Sequence, residues 1–456
     1  MSAPTGRAKP TRVVVLGGGL SGAAAAYSLA RSGTHEVTVV EGGDHIGGLA
    51  GSFKRGGHFY PLGYHHILHR DRTLHFFLDL IGALPSVRWR KIRMLFHLDG
   101  KSYDLASPAG FLGFPMSAAD KVKFVRLMLR SFGKREWPDW EDRSAAELID
   151  EWGGPGVREA IFERLTRLKF ELPCSEVSAA WLGARLYYRE GSAPLGYIPG
   201  DNWTRVLCDG VARLLDEHGV RVHLRTRVRK LHCHGPRVEE VELDTGERLP
   251  ADLIVSTVPV EVYLGLLQGD TTPHLAPIKY SALISVVCAT RQQVKSDAYW
   301  INLASLDRTA CGIFLLSSLN PTIGEPGDTC VNFVTHLRGR DRPLFSEPDE
   351  RLLERYREDF RALFGFELTP HWTHIARVPM YSPVFVRRFH NPPVHSTTWT
   401  NVYFAGNYRT FPSIGSTGTA LRSGLEAGAA MLADRGLADD LSPRAAGFKL
   451  RGMPNG

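Results

Sequence analysis

The sequence predicts an α/β fold: a dinucleotide-binding domain built on a parallel sheet, joined to a second, mixed α+β domain. Three observations predict it. A strand, glycine turn, helix and second strand open at residue 12, and two later segments, 200–265 and 395–435, carry further strands and helices rich in small residues. The stretches between them, 76–199 and 266–394, read first as helices and then as strands. At 456 residues the chain exceeds the roughly 100–200 residues that one core usually organises, so more than one unit is expected.

The first segment reads RVVVLGGGLSGAAAAYSLARSGTHEVTVVE over residues 12–41. Val13, Val14, Val15 and Leu16 form a continuous apolar run, which suits a strand buried on both faces. Gly17, Gly19 and Gly22 then fit G-x-G-x-x-G: one for the turn, one for backbone approach to a pyrophosphate, one for close helix packing. Leu20 and Ser21 join them as cofactor-binding candidates at the first turn of the helix, whose unpaired N–H groups and positive dipole end suit a diphosphate. The second strand ends at Glu41, nineteen residues after Gly22, where a carboxylate can accept hydrogen bonds from ribose hydroxyls. The unit is of Rossmann type.

A second glycine cluster follows in EGGDHIGGLAGSF, with Gly47, Gly48 and Gly51 flanking Leu49. This segment resembles the second glycine motif of the FAD-containing amine oxidase superfamily, which includes protoporphyrinogen oxidases and phytoene desaturases, with UDP-galactopyranose mutase as a relative. The resemblance runs from about Arg12 to Leu432. It implies FAD rather than NAD and an amine oxidase-like two-domain fold. The FAD-binding domain would be assembled from 12–75, 200–265 and 395–435, and the substrate domain from 76–199 and 266–394, with a disordered arm at 1–11 and a flexible tail at 436–456.

Two downstream stretches carry the same resemblance. In GDNWTRVLCDGVARLLDEHGVRVHLRTRVRKL, residues 200–231, an amphipathic helix and a strand lead to Val228, where family members contact adenine through backbone. In NVYFAGNYRTFPSIGSTGTALRSGLEAGAAML, residues 401–432, a strand, a loop and a helix starting near Gly415 or Gly418 imply that Gly406, Asn407, Gly415, Ser416 and Thr417 meet the cofactor. Small residues along that helix, Gly424 among them, are expected to let it approach the cofactor closely. Amine oxidases present an aromatic residue to substrate at the position of Ser416, so a typical monoamine oxidase is disfavoured. No cysteine follows Cys330 to form a covalent link, so FAD is expected to be noncovalent.

The stretch GYHHILHRD places His65, His66 and His69 within seven positions. Position 66 is histidine where H-E-x-x-H requires glutamate, and no cysteine lies nearby, so no metal site is expected. Gly63, His66, Ile67 and His69 match a pattern of UDP-galactopyranose mutases, while His65 stands where those enzymes commonly have proline. The resemblance implies that His65 or His66 lies near the flavin N5 as a hydrogen-bond donor or acid–base group of near-neutral pKa. The alternative is that all three are packing residues. Candidate substrate contacts are Arg185, Tyr187, Tyr197, Trp203 and Tyr381, with Arg377 and Arg409 also able to pair with a carboxylate or phosphate. Tyr299 and Trp300 read as core.

Composition narrows the function classes. The net charge of +7 is spread along the chain with no basic block, which argues against a nucleic-acid partner. Six scattered cysteines with no C-x-x-C pair fit a reduced, cytoplasmic setting. The basic run at 120–137 is expected to pack its apolar face into the substrate domain; contact with an anionic membrane surface is the competing reading. The expected function is an FAD-dependent oxidoreductase of biosynthesis that dehydrogenates a small organic substrate at a C–N, C–C or C–O position. A mutase-like sugar isomerase and a noncatalytic FAD-binding scaffold are the alternatives.

Overall fold

The computed structural model describes residues 9–132, 136–188, 193–267, 272–305, 307–413 and 415–450. Most of the expected arm at 1–11 and the last six residues of the expected tail lie outside them.

A five-stranded parallel sheet runs in the order Val402–Phe404, Leu253–Ser256, Thr11–Leu16, His35–Val40, Arg221–His223. Three distant segments thus meet in one sheet. Its central strands are apolar on both sides where both faces are covered: Val14, Leu16, Val40 and Ile254 point into one core cluster, while Val13, Val15, Val39 and Val255 point into another. The helices Leu20–Arg31, Trp203–Glu217 and Thr417–Ala433 cover the second face. A three-stranded antiparallel sheet, Val228–His234, Arg237–Leu243 and Arg248–Pro250, packs on the first.

The second large sheet has seven strands in the order Trp372–Pro383, Tyr280–Thr290, Thr329–Leu337, Gly312–Leu315, Ala298–Leu303, Arg93–Leu98, Lys101–Tyr103. All its pairs are antiparallel except Ala298–Leu303 with Arg93–Leu98. Along Tyr280–Thr290 the period of two is explicit. Ala282, Ile284, Val286 and Cys288 face the helix Asp349–Phe364 through Leu352, Tyr356 and Phe360. Leu283, Val287 and Ala289 face the opposite side, with Tyr60, Tyr64, Tyr299, Trp300 and Tyr381.

The helices between the strands are capped as their sequences suggest. Ser144 and Glu147 form a reciprocal capping box, and Ser117 accepts from the Asp120 N–H at 3.1 Å. The helix Ala118–Phe132 packs Phe124, Leu127 and Met128 into the core, while Val122 (71% exposed), Val125 (45%) and Leu129 (72%) face solvent. One expectation fails. Within the expected flexible tail, Leu441–Gly447 is a helix whose Leu441 and Ala445 are buried, anchored by an Arg31–Asp440 ion pair. Among the described residues no helix is long and apolar enough to cross a membrane.

Candidate cofactor cleft and active site

The glycines of the first turn divide by what they meet. Gly17 has φ +99, and a Cβ there would lie 2.8 Å from Thr257 Oγ1. A Cβ on Gly22 would lie 2.0 Å from the Gly17 carbonyl oxygen. Packing alone therefore demands glycine at both positions. Gly19 differs. Its φ is −61, ordinary for any residue, and an added Cβ would meet nothing within 4 Å. Glycine at 19 leaves open space before the first turn of the helix, which is the clearance a diphosphate requires. Leu20 and Ser21 are buried, and the Ser21 hydroxyl donates to the Ala420 carbonyl at 2.8 Å. What they present to a ligand is backbone, not side chain.

Glu41 is held at the end of the second strand. Its carboxylate accepts from the N–H of Gly18 and of Gly43, each at 2.6 Å, and retains lone pairs for further donors. The second glycine cluster docks on the first through Gly47 N–H to Gly18 O at 2.9 Å, leaving Gly48 and Leu49 exposed. The Arg225 and Thr226 N–H groups donate to Gly43 O (2.7 Å) and Glu41 O (3.0 Å), which brings half-buried Val228 to the same end.

At the third segment Gly406 adopts φ +137 and Asn407 Nδ2 donates to Tyr381 O at 3.0 Å. The helix starts at Thr417 with Ser416 as its cap; Gly415 is exposed, and Ser416 and Thr417 are half-buried. Its small residues serve another purpose than expected. A Cβ on Gly424 would stand 2.1 Å from Ser21 O, and one on Gly428 2.7 Å from Ser28 Oγ, so they admit the helix Leu20–Arg31 rather than a cofactor.

Asp71 was not legible as a site residue. It caps the helix Arg72–Leu80 through Leu74 N–H (3.2 Å) and also accepts from Ser416 Oγ (3.0 Å) and Gly418 N–H (3.3 Å). Burial raises its pKa against those three donors. The cap signal is local; the reach to Ser416 is a tertiary fact. Asp71→Ala should cost about 2–4 kcal/mol in urea unfolding, since three donors lose their acceptor inside the protein.

The histidine segment is irregular, tied down where Ile67 bridges Gly196. His65 Nε2 donates to Leu49 O at 3.1 Å, and its backbone carbonyl accepts from Trp203 Nε1 at 3.2 Å. Burial pushes the His65 pKa down to about 4, not to the near-neutral value expected. His66 Nδ1 lies 3.3 Å from the Tyr299 hydroxyl, and His69 meets the Trp89 ring edge-on. Tyr299 and Trp300 are buried. Among the described residues no cluster of three or more His, Cys, Asp or Glu is placed for a metal ion.

The candidate substrate contacts separate. Trp203 is 4% exposed and braces His65. Tyr187 packs under Arg70, whose guanidinium sits 4.2 Å from its ring and donates to its carbonyl. Tyr197 pairs with Arg88 in a short two-stranded ribbon. Arg377 is occupied by Asp349 and the carbonyls of Phe345 and Glu347, and Arg409 by the Pro392 carbonyl. Arg185 and Tyr381 instead converge with three residues that sequence reasoning passed over: Tyr64, Lys169 and His336.

Residues 20–432 match the flavin containing amine oxidoreductase family. The chain belongs to that family. This flavin containing amine oxidoreductase is thus a flavoprotein and an oxidoreductase enzyme. It is 24% identical over 421 residues to a coproporphyrinogen III oxidase of Mycobacterium tuberculosis, covering 82% of this chain and 88% of that one. It is 25% identical to a 15-cis-phytoene desaturase of an Oncidium hybrid cultivar over 58% of this chain, and spans about half (49%) of the desaturase's length. A candidate protoporphyrinogen oxidase from Exiguobacterium sp. 255-15 shares the fold with TM-score 0.76 at 17% identity, over 94% of this chain and 100% of that one.

Proposed function

We propose that this flavoprotein holds FAD noncovalently and dehydrogenates a small organic substrate at a C–N, C–C or C–O position. The observation that carries the reading is the open ground before Gly19, for which the protein's own packing gives no reason. Gly19 and the Leu20–Ser21 backbone, in the turn that Gly17 and Gly22 allow, would hold the diphosphate, Glu41 the ribose, Val228 the adenine end, and Gly48, Leu49, Gly406, Asn407, Gly415, Ser416 and Thr417 the flavin end. Bound flavin supplies a two-electron acceptor for hydride. Noncovalent binding fits the thiol nearest the glycine clusters: Cys208 is buried, its pKa pushed up to about 12, so it is no thiolate nucleophile.

The chain's own contribution is positioning. His65 stays neutral through the physiological range and, with Nε2–H given to Leu49, presents Nδ1 as an acceptor. Tyr299 orients His66.

The test is an anaerobic titration of the purified protein with amines, polyenes, porphyrinogens and nucleotide sugars, following the flavin absorbance. Bleaching by one compound identifies the substrate class, and release of intact FAD on denaturation establishes the noncovalent link. A protein that takes up no FAD overturns the reading. Turnover of a nucleotide sugar by chemically reduced protein, without net oxidation, would replace it by an isomerase.

A further inference from the structure

Two half-buried cations stand without a carboxylate. Lys169 comes from the helix Glu163–Phe170 and Arg185 from the helix Ala179–Tyr188. Each keeps part of its surface accessible, yet desolvation by surrounding protein is the largest influence on both and lowers their pKa values. Among the described residues neither forms an ion pair, and the nearby acids are engaged elsewhere. Glu163 binds Arg167 and the Cys174 N–H, and Glu171 binds Arg342. What holds the two charges is one phenol and two rings: Lys169 hydrogen-bonds the Tyr64 side chain and its Nζ lies 5.1 Å from the Tyr381 ring, and the Arg185 guanidinium lies 5.5 Å from the Trp181 ring.

His336 adjoins Lys169 and feels the charge of both. Its Nε2 lies 3.5 Å from Lys169 Nζ and 3.4 Å from the Tyr64 hydroxyl, and both cations, with burial foremost, hold the imidazole well below its usual pKa. Lys169 can only donate, so Nε2 is the acceptor and Nδ1 carries the proton. That buried Nδ1 has no partner. Lys169, Arg185 and His336 therefore gather donors with too few acceptors, and buried cations are ordinarily paired.

We propose that Lys169 and Arg185, with His336 beside them, bind an anionic group of the substrate, a carboxylate or a phosphate. The inference rests on the flavin oxidoreductase reading for its place in catalysis. Tyr64 directly precedes His65, and Asn407 donates to the Tyr381 carbonyl, so the anion site adjoins the residues assigned to the flavin end. The charged group would anchor the substrate while its neutral, oxidisable part extends toward the flavin.

The experiment is isothermal titration calorimetry of the purified protein at fixed ionic strength with benzoate, phenyl phosphate and neutral benzamide, with the flavin spectrum recorded on the same sample. The expected result is binding of at least one anion, not of benzamide, weakened at least about tenfold in Lys169→Met and in Arg185→Met. Preference for benzoate identifies a carboxylate substrate; preference for phenyl phosphate, a phosphoryl one. Because each cation lacks a counter-charge, both variants should melt no lower than wild type, and anion should raise the melting temperature of wild type alone. Variants melting far below wild type would make the cations structural and overturn the proposal. So would a yellow protein that binds neither anion, or one that binds benzamide equally well. A colourless protein that still binds the anion would sink the flavin reading and leave the anion site standing.

Discussion

Gly22→Ala should cost about 3 kcal/mol or more of stability, while Gly19→Ala, three residues earlier, should fold and lose at least about tenfold in FAD affinity. At Gly22 the new methyl would lie 2.0 Å from the Gly17 carbonyl oxygen, backbone against backbone, in a turn closed by Gly17 N–H to Val40 O. No flexible side chain can yield, so overpacking falls at the upper end of its usual range. At Gly19 the methyl meets no protein atom within 4 Å, and alanine in place of glycine at a helix N-cap costs under about 1 kcal/mol. Its penalty falls on whatever fills the open space. Urea midpoints and the flavin-to-protein absorbance ratio separate the two effects. A Gly19→Ala protein with wild-type flavin content would refute the clearance argument.

Acid should destabilise the fold well above the pH at which ordinary carboxylates titrate. His75 is 1% exposed, its Nε2 unpartnered, and burial foremost, with His69 contributing, lowers its pKa from 6.5 to about 4. Between those pH values the unfolded chain binds the proton and the folded chain does not, so stability falls as pH falls. His75 alone should withdraw on the order of 3 kcal/mol by about pH 4. His65 and His336 act in the same direction. Asp359 opposes them: burial raises its pKa to about 6, so protonation there favours the fold. Asp252, held at about 2 by Arg12, contributes stability that is lost only below about pH 4. The check is urea unfolding of wild type and His75→Gln at pH 7 and pH 4.5. The variant should lose less stability between the two, and an identical loss would exclude His75 as a source.

The sequence by itself determined the elements whose causes are local. An apolar run, three glycines and an acid at the right distance specify the turn from Thr11–Leu16 into Leu20–Arg31 and on to Glu41, because backbone conformation and hydrogen bonding there depend on neighbours in the chain. Ser117 and Ser144 cap their helices from the chain's own neighbours for the same reason. The resemblance of the second glycine cluster pointed to the family. Tertiary structure decided what depends on partners far along the chain. The small residues of Thr417–Ala433 proved to admit another helix, Trp203 to brace His65, and Val122, Val125 and Leu129 of Ala118–Phe132 to face outward while Leu127 packs inward. Arg185 was a candidate from its sequence, but Lys169 and His336 are ordinary residues of a helix and a strand, and nothing in their local sequence marks them. Their meaning arises only when packing removes them from water together without an acid, since the cost of a buried charge is set by what surrounds it.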